Sequence, residues 1–224
     1  MKILALEFSS AQRSVAIVDA DGSPRPRLVS EVIEKGDAAT RAIESVQTVL
    51  REAGLARESV ESIAVGLGPG SYTGVRAALA FAQGWHLGRS VPVVGVSSAE
   101  CLAWEARDHG HDGRVHVVLD ALRGEFYHAA YEILADGVRE IEPLRLVALE
   151  DIRCHEQSGE HLVGPEIHRW FRSGRILFPR AAILGRLAAG RSAPGTVGSL
   201  EPLYLRETAY RKAAPVPPIL PSKD

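Results

Sequence analysis

The sequence predicts an α/β fold in two lobes built from a repeated unit, and three observations carry that expectation. A short apolar strand ending in a carboxylate, a polar turn and a second strand occur twice, near the start and past the middle of the chain. Helical periodicity follows each copy. In the first copy a glycine-rich loop also joins a buried strand to a long helix.

Residues 3–8 and 14–18 are apolar runs separated by a polar turn at 9–13 and closed by Asp19-Ala20-Asp21-Gly22, the pattern of a hairpin. Residues 27–33 add a third strand. Asp37 then caps a helix over 38–53, in which Ala39, Ile43, Val46, Leu50 and Ala53 keep helical spacing until Gly54 stops it. Residues 62–65 form a buried strand that runs into "GLGPGSYTGVRAALAFAQG", Gly66 to Gly84, with a helix over 74–88. Residues 91–96 form the next strand, and Ser97 with Glu100 has capping-box spacing for the helix behind it. Residues 105–113, rich in charge, His and Gly, suit a hinge.

Beyond the hinge the first pattern returns: residues 115–119 with Asp120, a turn through Arg123-Gly124, a strand over 125–133 and Ala135-Asp136-Gly137. After residues 162–165 the clear helix is 181–189, so the second lobe is expected to be reduced. The resulting division is 1–108 for the first lobe, 109–212 for the smaller second lobe, and 213–224 for a tail with Pro215, Pro217, Pro218 and Pro221, expected to be extended or disordered.

With 224 residues, 46% hydrophobic and 24% charged, the chain has the make-up of a globular protein with a sizeable core. Its formal net charge of −2 offers no basic field for nucleic acid or anionic lipid, which disfavours a free-standing RNA binder. Glu7 ends the opening apolar run short of a signal peptide, and no apolar stretch is long enough to span a bilayer. Cys101 and Cys154 stand far apart without neighbouring Cys or paired His, so no disulfide framework or zinc knuckle is expected and a reducing cytosol is the simplest home.

The glycine loop fails two phosphate-loop tests. A Walker loop needs a lysine, which this stretch lacks, and a dinucleotide fingerprint from Gly68 and Gly70 needs a third glycine at Thr73, where the glycine arrives at Gly74. Two readings stay open. The loop amides could face an anion at the helix start, with Gly68, Gly70, Ser71, Thr73 and Gly74 in contact, or the loop is a tight turn capped by Ser71 or Thr73. In the helix, Ala80, Gly84 and Gly88 recur every fourth residue beside Ala77 and strip the side chains from one stripe. That stripe can pack on its own sheet or on a partner helix, with Phe81 and Trp85 as flanking anchors.

"GLGPGSYTGVRAALAFAQG" resembles the hallmark Gly-x-Gly-Pro-Gly-Ser-aromatic-Thr-Gly-x-Arg segment of the bacterial TsaB (YeaZ) family. That family is the smaller subunit of the machinery that puts threonylcarbamoyl on the adenosine beside the anticodon in tRNA. "ILALEFSS" resembles the family's opening strand, "VPVVGVSSAECLA" its next strand and helix, "LDALRGEFYHAAY" its Asp-x-x-Arg-x-Glu-x-Tyr hairpin, and "PLYLR" its C-terminal signature. This chain departs in having Glu7-Phe8-Ser9 where members commonly have Asp-Thr-Ser, and Asp37-Ala38-Ala39 where they commonly carry His-Ser.

The resemblance implies an actin-like, duplicated ribonuclease-H-like fold of the heat-shock-chaperone and sugar-kinase group, in a non-catalytic scaffold. It implies docking on the larger catalytic homologue TsaD through helices 38–53 and 74–88, using Ala39, Ile43, Val46, Leu50, Ala77, Ala80, Phe81, Gly84 and Gly88. A homodimer through the same face is expected when TsaD is absent. The small ATPase TsaE and an enzyme that makes the threonylcarbamoyl adenylate join through the complex, and tRNA is reached indirectly. A cytoplasmic protein without catalytic residues, metal or cofactor of its own is implied, with ATP or ADP held weakly or only within the complex.

The remaining candidates for chemistry are few. His109 and His111, His155 and His161, and His161 and His168 lack the i, i+4 spacing of a helical metal pair, so the eight histidines read as surface or hinge residues and no metal is expected. Strand-end carboxylates such as Glu7 and Asp120 suit magnesium binding or hydroxyl activation, which sustains an alternative reading as an actin-like ATP-dependent phosphotransferase. Such an enzyme needs a phosphate loop in each half, and the second half offers only Gly164-Pro165-Glu166. Ser9 and Ser10 have no base beside them. Asp120, Arg123 and Glu125 are either an internal ion-pair set or a polar patch met by a partner.

Overall fold

Strand β1 (Lys2–Glu7) lies at the centre of the first sheet. It pairs antiparallel with β2 (Gln12–Asp19), setting Leu4 against Ile17 and Leu6 against Val15, and β2 pairs antiparallel with β3 (Arg27–Lys35). On its other edge β1 runs parallel to β4 (Ser62–Gly66), itself parallel to β5 (Val93–Val96), so the order is β3-β2-β1-β4-β5. Parallel neighbours need crossovers, supplied by α1 (Ala42–Glu52) before β4 and α2 (Tyr72–Arg89) before β5. The structure is a computed structural model and describes residues 1–22, 25–36, 41–191 and 200–205.

Strand alternation divides the core into two layers. Leu4, Leu6, Val15 and Ile17 face α1 and α2, which contribute Val46, Val49, Val75 and Ala78. Ile3, Ala5, Ala16 and Val18 face the opposite way, onto α5 (Ala181–Ala189) with Ile183, Leu184 and Ala188. Gly185 lets α5 approach closely: a methyl group there would lie 2.6 Å from Val18 Cγ2.

The second sheet contains β6 (Gly113–Asp120), β7 (Glu125–Ile133), β8 (Val138–Ala148), β9 (His161–Gly164) and β10 (Arg175–Ile176) in the order β10-β9-β6-β7-β8. Read from β8, that order repeats the first sheet. The directions repeat too, with β6 antiparallel to β7, β7 antiparallel to β8, and β6, β9 and β10 mutually parallel. The repeat seen in the sequence is therefore a repeat of topology, an actin-like pair of ribonuclease-H-like sheets. The second copy is reduced: β10 has two residues, and a short 3-10 turn replaces the long helix before it.

Two helices cross between the halves. The helix after β5, α3 (Ser98–Asp108), packs Ala99, Leu102, Ala103 and Ala106 against β6 and β7, while α5 returns to the first sheet. Each of these helices therefore packs on the sheet of the other half. Arg180, just before α5, pairs with Glu31 of β3 and reaches Glu105 of α3 at 3.4 Å, joining both lobes.

Several boundaries differ from the sequence expectation. Asp37 and Ala39 lie outside the described residues, and the described helix begins at Ala42. The Ser97/Glu100 capping box does not form, because the Ser97 side chain makes no cap bond and Glu100 instead pairs with Arg191. The expected hinge at 105–113 is helical through Asp108, since Glu105 is buried against Arg180. Strand β8 and the helix α4 (Leu149–Gln157) were not anticipated. β8 is a charge-rich edge strand whose Pro143 sits where the pairing with β7 shifts register, and α4 buries only Ile152, leaving no apolar stripe to read. The Pro-rich tail falls among residues 206–224, outside the described residues.

Candidate functional site

The glycine loop is stitched to the end of β1. Ser71 N donates to Ser9 O at 2.7 Å, and Gly74 N donates to Ser71 Oγ at 3.2 Å, which makes Ser71 the N-cap of α2. A Cβ on Gly70 would lie 2.1 Å from Ser9 O, and one on Gly74 would lie 2.0 Å from Phe8 O. The glycines at these positions therefore make room for another backbone. Gly68 has φ +84 and its carbonyl accepts from Ser98 N at 2.8 Å, while Thr73 is exposed. Two amides of the five-residue span are thus taken up inside the fold.

The two strand-end carboxylates have different surroundings. Glu7 is 0% exposed; its Oε1 accepts from Ser9 N and its Oε2 from Ser98 Oγ, both at 2.8 Å. Gly66 leaves the space that the carboxylate fills, because a Cβ there would lie 2.2 Å from Glu7 Oε2. Burial raises the Glu7 pKa, opposed by the Ser9 and Ser98 hydrogen bonds. Asp120 is half-buried, and its Oδ1 accepts from Leu122 N at 2.7 Å, closing the turn in which Leu122 and Arg123 take positive φ.

A groove of about 1180 Å³ runs between α1 and α2. Val46 and Leu50 are buried and form its floor as part of the core, so of the α1 residues expected at a partner, Ile43 is the one that projects, 65% exposed. Amphipathic periodicity marks the face turned to the sheet, which is why Val46 and Leu50 follow it. On α2 the core face is Val75, Ala78, Leu79 and Ala82, and the stripe Ala80, Gly84 and Gly88 points outward into the groove. Nothing lies within 4 Å of a Cβ built on Gly84 or Gly88. Phe81 and Trp85, half-buried with ring centroids 5.6 Å apart, form the wall beside the stripe, while Ala77 is half-buried and lies outside the groove lining.

Among the described residues no helix is long and apolar enough to cross a membrane. Cys101 is buried and Cys154 exposed, both as free thiols.

Residues 37–196 match the family described as "TsaD: tRNA N6-adenosine threonylcarbamoyltransferase". The Escherichia coli protein named tRNA threonylcarbamoyladenosine biosynthesis protein TsaB is 31% identical, over 96% of this chain and 99% of that one. The chain belongs to the TsaB (YeaZ) family. The Haemophilus influenzae TsaB is 26% identical over 96% of this chain and 98% of its own. The solved YeaZ from Pseudomonas aeruginosa superposes with a TM-score of 0.76 at 27% identity, covering 91% of this chain and 99% of that one.

Four of the five segments that carry the TsaB resemblance converge in space. The turn after β1 bonds the hallmark loop through Ser9 and Ser71, the hallmark loop bonds the helix after β5 through Gly68 and Ser98, and Leu203 N of "PLYLR" donates to Leu67 O at 2.8 Å. Tyr204 stacks on Tyr72 with centroids 5.4 Å apart, and Arg76 lies over the Tyr72 ring at 5.2 Å. No local pattern in the sequence joins residue 204 to residue 72, because the contact is long-range.

Proposed function

We propose that this chain serves tRNA threonylcarbamoyladenosine biosynthesis in the cytoplasm as a non-catalytic subunit. It docks on the larger homologue TsaD through the groove between α1 and α2, and pairs with itself through the same face when TsaD is absent. The observation that carries this reading is the outward direction of the Ala80-Gly84-Gly88 stripe. A helix without side chains along one stripe lets a partner helix approach to near backbone contact, and the exposed Ile43 and half-buried Phe81 and Trp85 supply apolar area beside it. TsaE and tRNA enter through the complex.

The phosphotransferase alternative asks Glu7 to face a cleft and hold magnesium. Both of its oxygens accept internal hydrogen bonds in a site closed to solvent, so it serves as the joint between β1 and α3. The test is complementation of a deletion strain, read as threonylcarbamoyladenosine in tRNA. Asp120→Asn and Glu7→Gln should restore the modification and Gly84→Glu should not; failure of both carboxylate variants, with the folded proteins present, would overturn the scaffold reading.

A further inference from the structure

Three histidines from three elements meet on the face of the second sheet covered by α4: His116 of β6, His128 of β7 and His155 of α4. Strand alternation sends His116 and Val118 to this face and Val115 and Val117 to the other, and His128 stands opposite Val118. The nitrogen atoms of the three rings that can ligate an ion lie within 4.8 Å of one another. Because the contributing elements are far apart in sequence, no i, i+4 spacing announces them.

The cluster is built like a donor set. His116 is 0% and His128 1% exposed, in a layer that includes Val118, Phe126 and Ile152. His116 Nδ1 and His128 Nε2 share a hydrogen bond at 2.9 Å, which fixes the His116 ring and turns its Nε2 toward Glu160. That Nε2 is buried and makes no hydrogen bond, although Glu160 Oε2 stands 3.1 Å away. The same oxygen lies 2.6 Å from His155 Nδ1, and the His116 and His155 rings stack with centroids 4.0 Å apart. Two ligands on one ion, each bonded at about 2.0–2.1 Å, stand roughly 3.0–3.4 Å apart, close to the separation of His116 Nε2 from the carboxylate. A buried ring nitrogen without a partner costs free energy that an ion at that point would offset.

Burial favours the neutral form of the two innermost rings. Burial first, then the neighbouring imidazoles, pushes His116 and His128 down to about 4, so both are neutral at pH 7, and the His155 hydrogen bond lowers the Glu160 pKa. Arg114 stands 3.7 Å from Glu160 Oε1, the oxygen turned away from the cluster, and Glu142 is engaged by Arg145 at 3.2 Å.

We propose that His116 Nε2, His155 Nδ1 and Glu160 bind a divalent transition-metal ion of the zinc class, with His128 holding the His116 ring in place. His155, at the partly exposed edge, turns out of its stack on His116 so that both nitrogens aim at the ion, which replaces the proton between His155 and Glu160, and the fourth position of a tetrahedral site is left to water. Two imidazoles and a carboxylate suit zinc, whereas magnesium prefers an all-oxygen octahedron.

The test is calorimetric titration of the chelator-treated full chain with zinc chloride, with thermal melting in parallel. One equivalent should bind and raise the melting temperature, and magnesium chloride should do neither. His155→Ala and Glu160→Gln, at the partly exposed edge of the cluster, should fold and lose binding, while His128→Asn should keep the stoichiometry with affinity down about 10–100-fold. Absence of zinc binding by the wild-type chain, or binding undiminished in both His155→Ala and Glu160→Gln, would overturn the proposal.

Discussion

The Ser98 hydroxyl donates to the Glu7 carboxylate at 2.8 Å, tying the end of β1 to the first turn of α3 across 91 residues of chain. Burial raises the Glu7 pKa above its ordinary 4.5, so the folded chain holds this proton more tightly than the unfolded chain does. The associated stability is present below about pH 4.5 and is lost as pH rises through the folded value. Glu7→Gln should therefore flatten the acid side of the stability profile and raise the melting temperature at pH 7, since the amide can accept from Ser9 N and donate to Ser98 Oγ. Glu7→Ala leaves Ser9 N buried without its acceptor and should cost about 1–3 kcal/mol in denaturant unfolding.

Four glycines of the hallmark loop and of α2 separate into two classes under substitution. Gly70→Ala and Gly74→Ala place a methyl about 2 Å from the Ser9 and Phe8 carbonyl oxygens, and each should destabilise by about 3 kcal/mol because backbone has to move. Gly84→Ala and Gly88→Ala meet open space within a helix and should stabilise the isolated chain by about 0.5–1 kcal/mol. The same two substitutions fill the stripe, so they should weaken partner binding while raising the melting temperature. A melting scan and a binding isotherm on one set of four variants check both halves.

Arg180 serves two buried carboxylates at once, Glu31 and Glu105. Arg180→Met leaves Glu31 without its cation and Glu105 with only His109, 3.7 Å away, and should cost about 2–3 kcal/mol at pH 7, less than a fully buried pair because a third of the arginine side chain is exposed. Burial already raises the Glu105 pKa, with Arg180 opposing, so protonation relieves the variant and its deficit should shrink toward pH 4. Urea unfolding at the two pH values measures this directly.

The elements that were legible in the sequence are those whose burial follows one simple period. β1 and β2 are apolar on both faces because helices cover both sides, and α5 is apolar nearly all round because it lies between a sheet and α3, so each stands out from its flanks. β8 and α4 did not, because an edge strand with alternating charge and a helix with one buried residue carry almost no hydrophobic signal. The direction of the α2 stripe needed the structure: Ala80 and Ala78 are alike in composition, yet one faces solvent and the other the sheet. The histidine cluster and the Tyr72–Tyr204 stack needed it too, since both are contacts between distant segments.

Titration of purified TsaD homologue into this chain, wild type against Gly84→Glu, with light scattering to record mass, tests the docking face most directly. Gly84 is exposed on a helix with nothing around its Cβ position, so the variant should fold and, as a monomer, melt no lower than the wild-type monomer. The wild-type chain should form a complex, and the variant should stay monomeric with binding weakened at least about 100-fold by a charge buried at the interface centre. A Gly84→Glu chain that binds TsaD with wild-type affinity would contradict the assignment of the α1–α2 groove as the docking face.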